Sequence, residues 1–258
     1  MTDIIFNIFL YFRLGRSKNN NLKECLFTKH NDANCKGRLL LNQDLPNKDD
    51  GSIRIAVISD THERHYTIPE VPTSDIFIHG GDILMTSRYY TDDECIRKYK
   101  EFNSWLGTIT SKHRVVIAGN HDRLLQEASK QQLQEWFTNC IVLNNTIIKL
   151  DGITIFGSPV SHGTSSNKAF QGQEYHDDAI RVLQEYNEPI DILLVHGPNE
   201  KLLSVSKPKI YIYGHLHNHY GIRRRVDGDD PCLSINACNM DGNYNPNNAP
   251  IVVDIKPR

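Results

Sequence analysis

Five hydrophobic segments of the chain are each followed at once by side chains that can bind metal ions. The residues that follow them are, in order, Asp60 and His62, then Asp82, then Asn120, His121 and Asp122, then His196, and finally His215 and His217. Ligands of open α/β sheets gather beyond the carboxyl ends of the strands. We therefore expect these side chains to meet at one edge of a sheet.

Seven of these side chains form a donor set suited to a centre of two metal ions. They are Asp60, His62, Asp82, Asn120, His196, His215 and His217. Mixed oxygen and imidazole donors suit Mn, Fe or Zn. No cysteine stands in the five segments, which disfavours a structural zinc site. The alternative is a scatter of turn and capping residues, since Asp and Asn are common after strands. Metal-binding residue types follow all five predicted strands, and this repetition disfavours a chance scatter of turn and capping residues.

Strands and helices alternate along the part of the chain that must position these residues. Hydrophobic runs predict strands at residues 53–58, 75–78, 115–118, 141–143, 147–150, 153–156, 191–195, 210–213, 222–226, 233–237 and 251–255. Thr91 and Glu94 have the spacing of a capping box, which predicts a helix from that point. Apolar periodicity predicts two more helices, at 124–137 and 177–186. Two sheets flanked by helices fit this count better than one sheet.

Composition and charge narrow the class of protein. The chain has 258 residues, of which 39% are hydrophobic and 23% charged, and this is typical of a globular protein. Its net charge of −2 argues against bulk electrostatic binding to nucleic acid or anionic lipid. The six cysteines have no CxxC spacing, so we expect reduced thiols and a cytoplasmic protein.

The N-terminal part differs from the rest. Polar segments at 17–21 and 47–51 predict that residues 1–52 are a partly flexible extension and that 53–258 form the main domain. Residues 4–12 are apolar but too short to span a bilayer, which takes about 20 residues. We expect this stretch to be a short helix or strand docked on the domain. An interfacial membrane helix is the alternative.

The order and wording of the five motifs resemble the calcineurin-like metallophosphoesterase superfamily, whose pattern is D-x-H, G-D, G-N-H-[DE], H and G-H-x-H. The resemblance runs from residue 53 to the end of the chain. Segments 156–159, 167–170, 196–198 and 214–221 are similar to the metallophosphoesterase domain-containing subfamily. The resemblance implies an α/β fold, a four-layer α/β/β/α sandwich of two mixed sheets flanked by helices.

The resemblance also implies a ligand set for each of two divalent ions. Metal one would be held by Asp60, His62, Asp82 and His217, and metal two by Asp82, Asn120, His196 and His215. Asp82 would then bridge the two ions. Two ions roughly 3.5–4 Å apart lower the pKa of a bridging water, and the resulting hydroxide attacks phosphorus in line.

Two residues of the third motif are candidates for a catalytic role without binding a metal. His121 lies beside Asn120 and could protonate the leaving oxygen or stabilise charge on the phosphoryl group. Asp122 could accept a hydrogen bond from the other ring nitrogen of His121. A structural hydrogen bond is the alternative for His121, and an N-cap of the next helix is the alternative for Asp122.

These features predict a dinuclear-metal-dependent phosphoric ester hydrolase, and a phosphodiesterase before a phosphomonoesterase. The expected substrate is a small phosphoester, with a nucleotide as one candidate. A protein phosphatase is disfavoured, because residues 81–87 lack the arginine that such relatives use to hold phosphate. A weakly active scaffold protein that binds metal or nucleotide is the alternative of another class.

Overall fold

The computed structural model of the protein describes residues 7–13, 23–29, 38–41, 47–68, 71–163, 166–227 and 230–258. Side chains are described from residue 47 onward, except at 224–231 and in the gaps. Much of the predicted flexible extension lies outside the described residues, and so do the first three residues of the apolar stretch 4–12.

The described residues form fourteen strands. In chain order they are β1 Asn7–Arg13, β2 Lys23–Lys29, β3 Arg38–Leu41, β4 Ile53–Ile58, β5 Ser74–His79, β6 Ser111–Ile117, β7 Ile141–Leu143, β8 Thr146–Leu150, β9 Ile153–Ser158, β10 Ile192–Val195, β11 Ile210–Tyr213, β12 Gly221–Asp227, β13 Asp230–Asn236 and β14 Ile251–Ile255. All eleven predicted strands are therefore present, with ends that differ by a few residues.

Five α-helices accompany the strands in the described part of the chain. They are α1 Asp92–Thr108, α2 Arg123–Glu127, α3 Lys130–Trp136, α4 Gln173–Glu185 and α5 Glu200–Ser206. The capping box before α1 is confirmed, because the Thr91 side chain accepts a hydrogen bond from the backbone N–H of Glu94.

The prediction of one helix over residues 124–137 is wrong. Ala128 is extended, with φ −71° and ψ 134°, and ends α2. Ser129 then caps α3 by accepting a hydrogen bond from the backbone N–H of Gln132. Ser129 therefore starts a new helix as its N-cap, and the spacing of apolar residues contains no information about such a cap. Helix α4 also begins earlier than predicted, and α5 was not predicted.

The strands form two mixed sheets. The first has the order β3-β2-β1-β14-β4-β5-β6-β7, and the second has the order β12-β13-β11-β10-β9-β8. Strands β4, β5, β6 and β7 are parallel neighbours, as are β9, β10, β11 and β13. Parallel neighbours end at the same edge, so the segments that follow β4, β5 and β6 emerge side by side.

Alternation along the strands produces four layers. On β4, Ile55 and Val57 face the second sheet, while Ala56 and Ile58 face the helices. Leu193 and Val195 of β10 face the opposite outer layer, in a cluster with residues of α4 and α5. The core thus lies between the two sheets and under helices on both outer faces. This confirms the predicted α/β/β/α sandwich.

The described part of the apolar N-terminal stretch is a strand. Strand β1 pairs antiparallel with β14, with Phe9 opposite Val252, and β2 and β3 continue the sheet beyond it. Of the two forms expected for this stretch, its described residues adopt the strand. Among the described residues, no helix is both long and apolar enough to cross a membrane.

Candidate metal centre

The predicted donors lie together where the two sheets meet at their carboxyl edges. Asp60 and His62 follow β4, Asp82 follows β5, and Asn120 follows β6. His196 follows β10 of the second sheet, and His215 and His217 follow β11. All except His215 and His217 are buried, and these two are partly exposed. The sandwich therefore brings residues 157 positions apart in sequence, Asp60 and His217, into contact.

The carboxylate of Asp82 lies between two groups of donors. Its Oδ2 is 3.8 Å from Nε2 of His62, and its Oδ1 is 3.3 Å from Nε2 of His196. Oδ2 is also 3.8 Å from Nε2 of His121. The two oxygens thus face different imidazoles.

The donors around each oxygen are close enough to share an ion. On one side, Nε2 of His217 lies 3.3 Å from Oδ1 of Asp60 and 3.3 Å from Nε2 of His62. On the other side, Nε2 of His196 lies 3.0 Å from Oδ1 of Asn120. Ligand atoms of Asp82, His196 and His215 all lie within 4.8 Å of one another.

Backbone carbonyls fix the ring nitrogen that three of the four histidine donors turn to the centre. Nδ1 of His62 donates to the carbonyl of Leu84 at 2.9 Å, and Nδ1 of His196 donates to Gly80 at 2.9 Å. Because Nδ1 is used in these bonds, Nε2 of both rings is the nitrogen that can bind a metal ion. His215 is held the other way, with Nε2 donating to the carbonyl of His162 at 2.8 Å, which leaves its Nδ1 free. Such outer bonds orient metal-binding imidazoles.

The backbone is strained at four of the seven donors. Asp60, His62, Asp82 and His215 have φ values of 54°, 43°, 54° and 64°. Each left-handed non-glycine residue costs of order 1–3 kcal/mol and persists where its surroundings determine it. Four of the ten non-glycine residues with positive φ in the described part of the chain are thus candidate metal donors.

Electrostatics at the centre favour bound cations. Burial opposes ionisation of Asp82, yet the neighbouring imidazoles of His196 and His121 hold its pKa well below the usual range. Burial likewise opposes charge on His196, but the carboxylate of Asp82 raises the pKa of this histidine to about 9. Two fully buried carboxylates, Asp60 and Asp82, need such positive partners. Divalent ions supply more positive charge than protons do, so this donor set fits them.

A family model described as calcineurin-like phosphoesterase matches residues 53–219. The chain belongs to this family. As a calcineurin-like phosphoesterase it is a metal-dependent phosphoester hydrolase that binds divalent metal ions and acts on small phosphoester substrates.

Individual relatives agree with this assignment. Metallophosphoesterase domain-containing protein 1 of Homo sapiens is 28% identical over 256 positions, covering 81% of this chain and 72% of the relative, and the Mus musculus protein gives the same values. A UPF0046 protein of Caenorhabditis elegans is 28% identical over 247 positions, covering 80% of this chain and 82% of the relative. The similarity to the metallophosphoesterase domain-containing subfamily is thereby confirmed.

Asp122 of this phosphoesterase does not contact the ring of His121 as predicted. Nδ1 of His121 lies instead at the carbonyl oxygen of Met85. The Asp122 carboxylate accepts hydrogen bonds from the backbone N–H groups of Ile83, Leu84 and Gly119, at 2.9 to 3.1 Å. Asp122 precedes α2, but its side chain makes no capping bond. It therefore ties the loops after β5 and β6 together.

The pKa of Asp122 reflects this position. Burial, followed by the neighbouring carboxylate of Asp82, raises the pKa of Asp122 to about 7, although its three backbone bonds oppose the change. The side chain is completely buried. This geometry supports a positioning role for Asp122 and gives it no direct route to a substrate.

Sequence reasoning missed three supporting residues in the phosphoesterase site. Sγ of Cys238 donates to Oδ2 of Asp60 at 3.2 Å. The backbone carbonyl of Asn167 accepts from the amide of Asn120 at 3.1 Å, and its side chain lies 3.2 Å from Nε2 of His121. The rings of Tyr244 and His217 are 4.7 Å apart. These three residues come from segments with no metal-binding pattern, although 167–170 carries the subfamily resemblance.

His79 is a buried histidine whose hydrogen bonds support the candidate centre. It is fully buried, its Nε2 lies 3.0 Å from Oγ1 of Thr61, and its Nδ1 accepts from the backbone N–H of Gly81 at 3.3 Å. Thr61 lies between two donors and Gly81 precedes another. Both ring nitrogens of this core histidine thus have hydrogen-bond partners, and these bonds join two loops of the phosphoesterase site.

The Gly119→Ala variant is expected to lose metal and activity. A Cβ at this position would lie 2.2 Å from Oδ1 of Asp82 and 2.7 Å from Cε1 of His196, so the central carboxylate would have to move. We expect metal affinity to fall at least about 10-fold, the scale at which disturbed supporting contacts act. The matched control is Gly107→Ala in helix α1, whose nearest atom would be the side-chain amide of Asn139 at 3.0 Å. Calorimetric titration with Mn²⁺ measures both, and equal affinity in the two variants would contradict the proposed role of Asp82.

Proposed function

We propose that this phosphoesterase is a dinuclear enzyme that hydrolyses phosphodiesters. The observation that carries the proposal is the carboxylate of Asp82, whose two oxygens face separate groups of donors. In the proposed arrangement Asp60, His62, Asp82 and His217 hold one ion. Asp82, Asn120, His196 and His215 hold the other. Manganese, iron and zinc all suit such donors.

When bound, the two ions would polarise the phosphate oxygens and lower the pKa of a shared water. The chain's own residues supply the remaining functions. Asp82 keeps the two donor groups at a fixed separation, and the carbonyls of Leu84, Gly80 and His162 keep the imidazoles aligned. The donors thus need little reorganisation during the reaction.

His121 is the proposed acid for the leaving group. Its Nδ1 donates to the carbonyl of Met85, so the second nitrogen, Nε2, is the one that would carry and release a proton. Nε2 faces Oδ2 of Asp82 at 3.8 Å and the amide of Asn167 at 3.2 Å. His121 thus lies as close to Oδ2 of Asp82 as His62 does, and we propose it as an acid and not as a ligand.

A cleft beside the centre supports a diester substrate. It has a volume of about 540 Å³, and its walls include the proposed ligand His62 together with Met85, Tyr66 and Tyr90. Its volume lies in the usual range for small-molecule sites. A second ester group on the phosphorus would therefore have a place to bind, which a monoester would leave empty.

The test of the proposed function compares a diester and a monoester with and without metal. We expect hydrolysis of bis-p-nitrophenyl phosphate after addition of Mn²⁺ to chelator-treated protein, and a lower kcat/KM for p-nitrophenyl phosphate. Preference for the monoester would favour the phosphomonoesterase alternative. Metal binding without turnover of either ester would favour the scaffold alternative, in which metal or a nucleotide is held but not processed.

We also propose a cytoplasmic location and the predicted division of the chain. Cys95, Cys140 and Cys238 are free thiols in the described part of the chain, which supports a reducing compartment. The family match begins at residue 53, which supports 53–258 as the catalytic domain. Residues 1–52 would then be an extension that adds strands to the first sheet.

A further inference from the structure

The loop over residues 239–248 is held rigidly beside the candidate centre. The carboxylate of Asp241 accepts from the backbone N–H groups of Asn243 at 2.8 Å and Asn245 at 3.0 Å, and from the side-chain amide of Asn247 at 2.6 Å. The backbone N–H of Asn248 donates to the carbonyl of Asn239 at 3.0 Å, which closes the loop. This loop also contacts the centre, because the ring of its Tyr244 packs against the ring of His217.

Tyr244 adopts a strained conformation within this rigid loop. Its φ is 59°, a left-handed conformation that glycine adopts readily and aromatic residues adopt rarely. Its backbone N–H donates to the carbonyl of Asp241 at 2.9 Å, so the loop maintains the strained conformation. Strain of this kind collects at functional sites, and an observed outlier is a reason to look for a function.

The ring of Tyr244 covers one side of the centre and remains open to solvent. Its centroid lies 4.7 Å from the ring of His217 and 5.1 Å from the ring of His62. The residue is 39% exposed, and its hydroxyl makes no hydrogen bond with any described residue. The phenol packs on two proposed ligands and is exposed at the edge of the site, so its hydroxyl can hydrogen bond with a molecule that binds there.

We propose that Tyr244 contacts the substrate and that its hydroxyl donates a hydrogen bond to an oxygen of the bound phosphoester. This inference rests on the proposed function. The segment from Gly81 to Ser87 contains no arginine that could hold the phosphate. A neutral hydrogen-bond donor beside His62 and His217 could instead bind a phosphate oxygen. The phenol ring packs on the two imidazoles, which keeps the hydroxyl in place.

The test is the variant Tyr244→Phe, which keeps the ring and removes only the hydroxyl. A hydrogen bond to a charged group is strong enough that its loss should lower kcat/KM for bis-p-nitrophenyl phosphate at least about tenfold. Bound metal and the thermal unfolding midpoint should stay at the wild-type values. The matched control is Tyr89→Phe, since Tyr89 is 72% exposed and its ring lies under Arg88.

Two results would overturn the proposal. Tyr244→Phe could match Tyr89→Phe in kcat/KM, or Tyr244→Phe could lose metal, in which case the tyrosine merely supports His62 and His217. A second variant, Tyr244→Asn, guards against misfolding, because asparagine tolerates a positive φ better than tyrosine. It should keep its metal and its unfolding midpoint but show the same loss of kcat/KM.

The proposed function can fail separately from this inference. If the wild-type protein hydrolyses neither nitrophenyl ester with Mn²⁺, the proposed function is refuted. Calorimetric titration of the Mn²⁺-loaded protein with inorganic phosphate then tests the contact itself. Weaker phosphate binding to Tyr244→Phe than to Tyr89→Phe would support the contact, and equal binding would refute it.

Discussion

Asp82→Asn is expected to abolish hydrolysis and to lower the amount of bound metal. The side chain is only 2% exposed, and its two oxygens face His62 and His196. The substitution keeps the size of the side chain but removes the charge that would hold two cations close together. Loss of a partner outside the ligand shell already costs roughly 10–100-fold in metal affinity or activity, and loss of a shared ligand should cost more.

Metal analysis after dialysis and the rate of bis-p-nitrophenyl phosphate hydrolysis together check this expectation. The control is Asp93→Asn, which removes the same charge from an exposed position on helix α1. It should behave as the wild type in both measurements. An Asp82→Asn protein with wild-type turnover and a full complement of metal would contradict the bridging assignment.

His121→Ala should separate catalysis from metal binding. The ring would donate a proton from Nε2 and is proposed not to be a ligand, so metal content should stay near normal. General acid help is worth roughly 10²–10⁴ in rate. The loss should be largest for alkyl esters, whose leaving groups need a proton, and smaller for nitrophenyl esters, whose leaving group departs as a stable anion.

Rates with an alkyl and a nitrophenyl diester, measured beside the metal content, check the role of His121. Equal loss with both substrates would favour charge stabilisation over proton donation. Loss of metal would make His121 a ligand or a structural support. His113→Ala is a suitable control, because His113 lies on β6 and contacts Asp151 at 3.2 Å instead of the metal donors. It should retain wild-type rates with both esters.

The fold could be predicted because its signals are local and repeated. Buried runs such as Ile53–Ile58 alternate between two hydrophobic faces, and the same pattern recurs in β10. The donors could be found because each stands directly after such a run, and parallel strands end at one edge. The break at Ala128 was missed because apolar spacing continues across it, while the capping by Ser129 depends on a single side chain.

The supporting residues of the site could not be predicted from spacing. Cys238 meets Asp60 from 178 positions away, and Tyr244 reaches His62 from the far end of the chain. Their positions follow from the packing of two sheets. Asp122 was assigned to the wrong partner for a related reason. Its three backbone N–H donors come from residues 83, 84 and 119, and adjacency to His121 in sequence carries no information about them.

The number of divalent ions bound per chain tests the central claim most directly. Chelator-treated protein would be loaded with Mn²⁺, dialysed and analysed by plasma mass spectrometry, with hydrolysis of bis-p-nitrophenyl phosphate followed in the same samples. The claim predicts two ions per chain, with turnover that appears as the second ion binds. A protein that binds one ion at saturation, or that hydrolyses the ester equally well without metal, would contradict it.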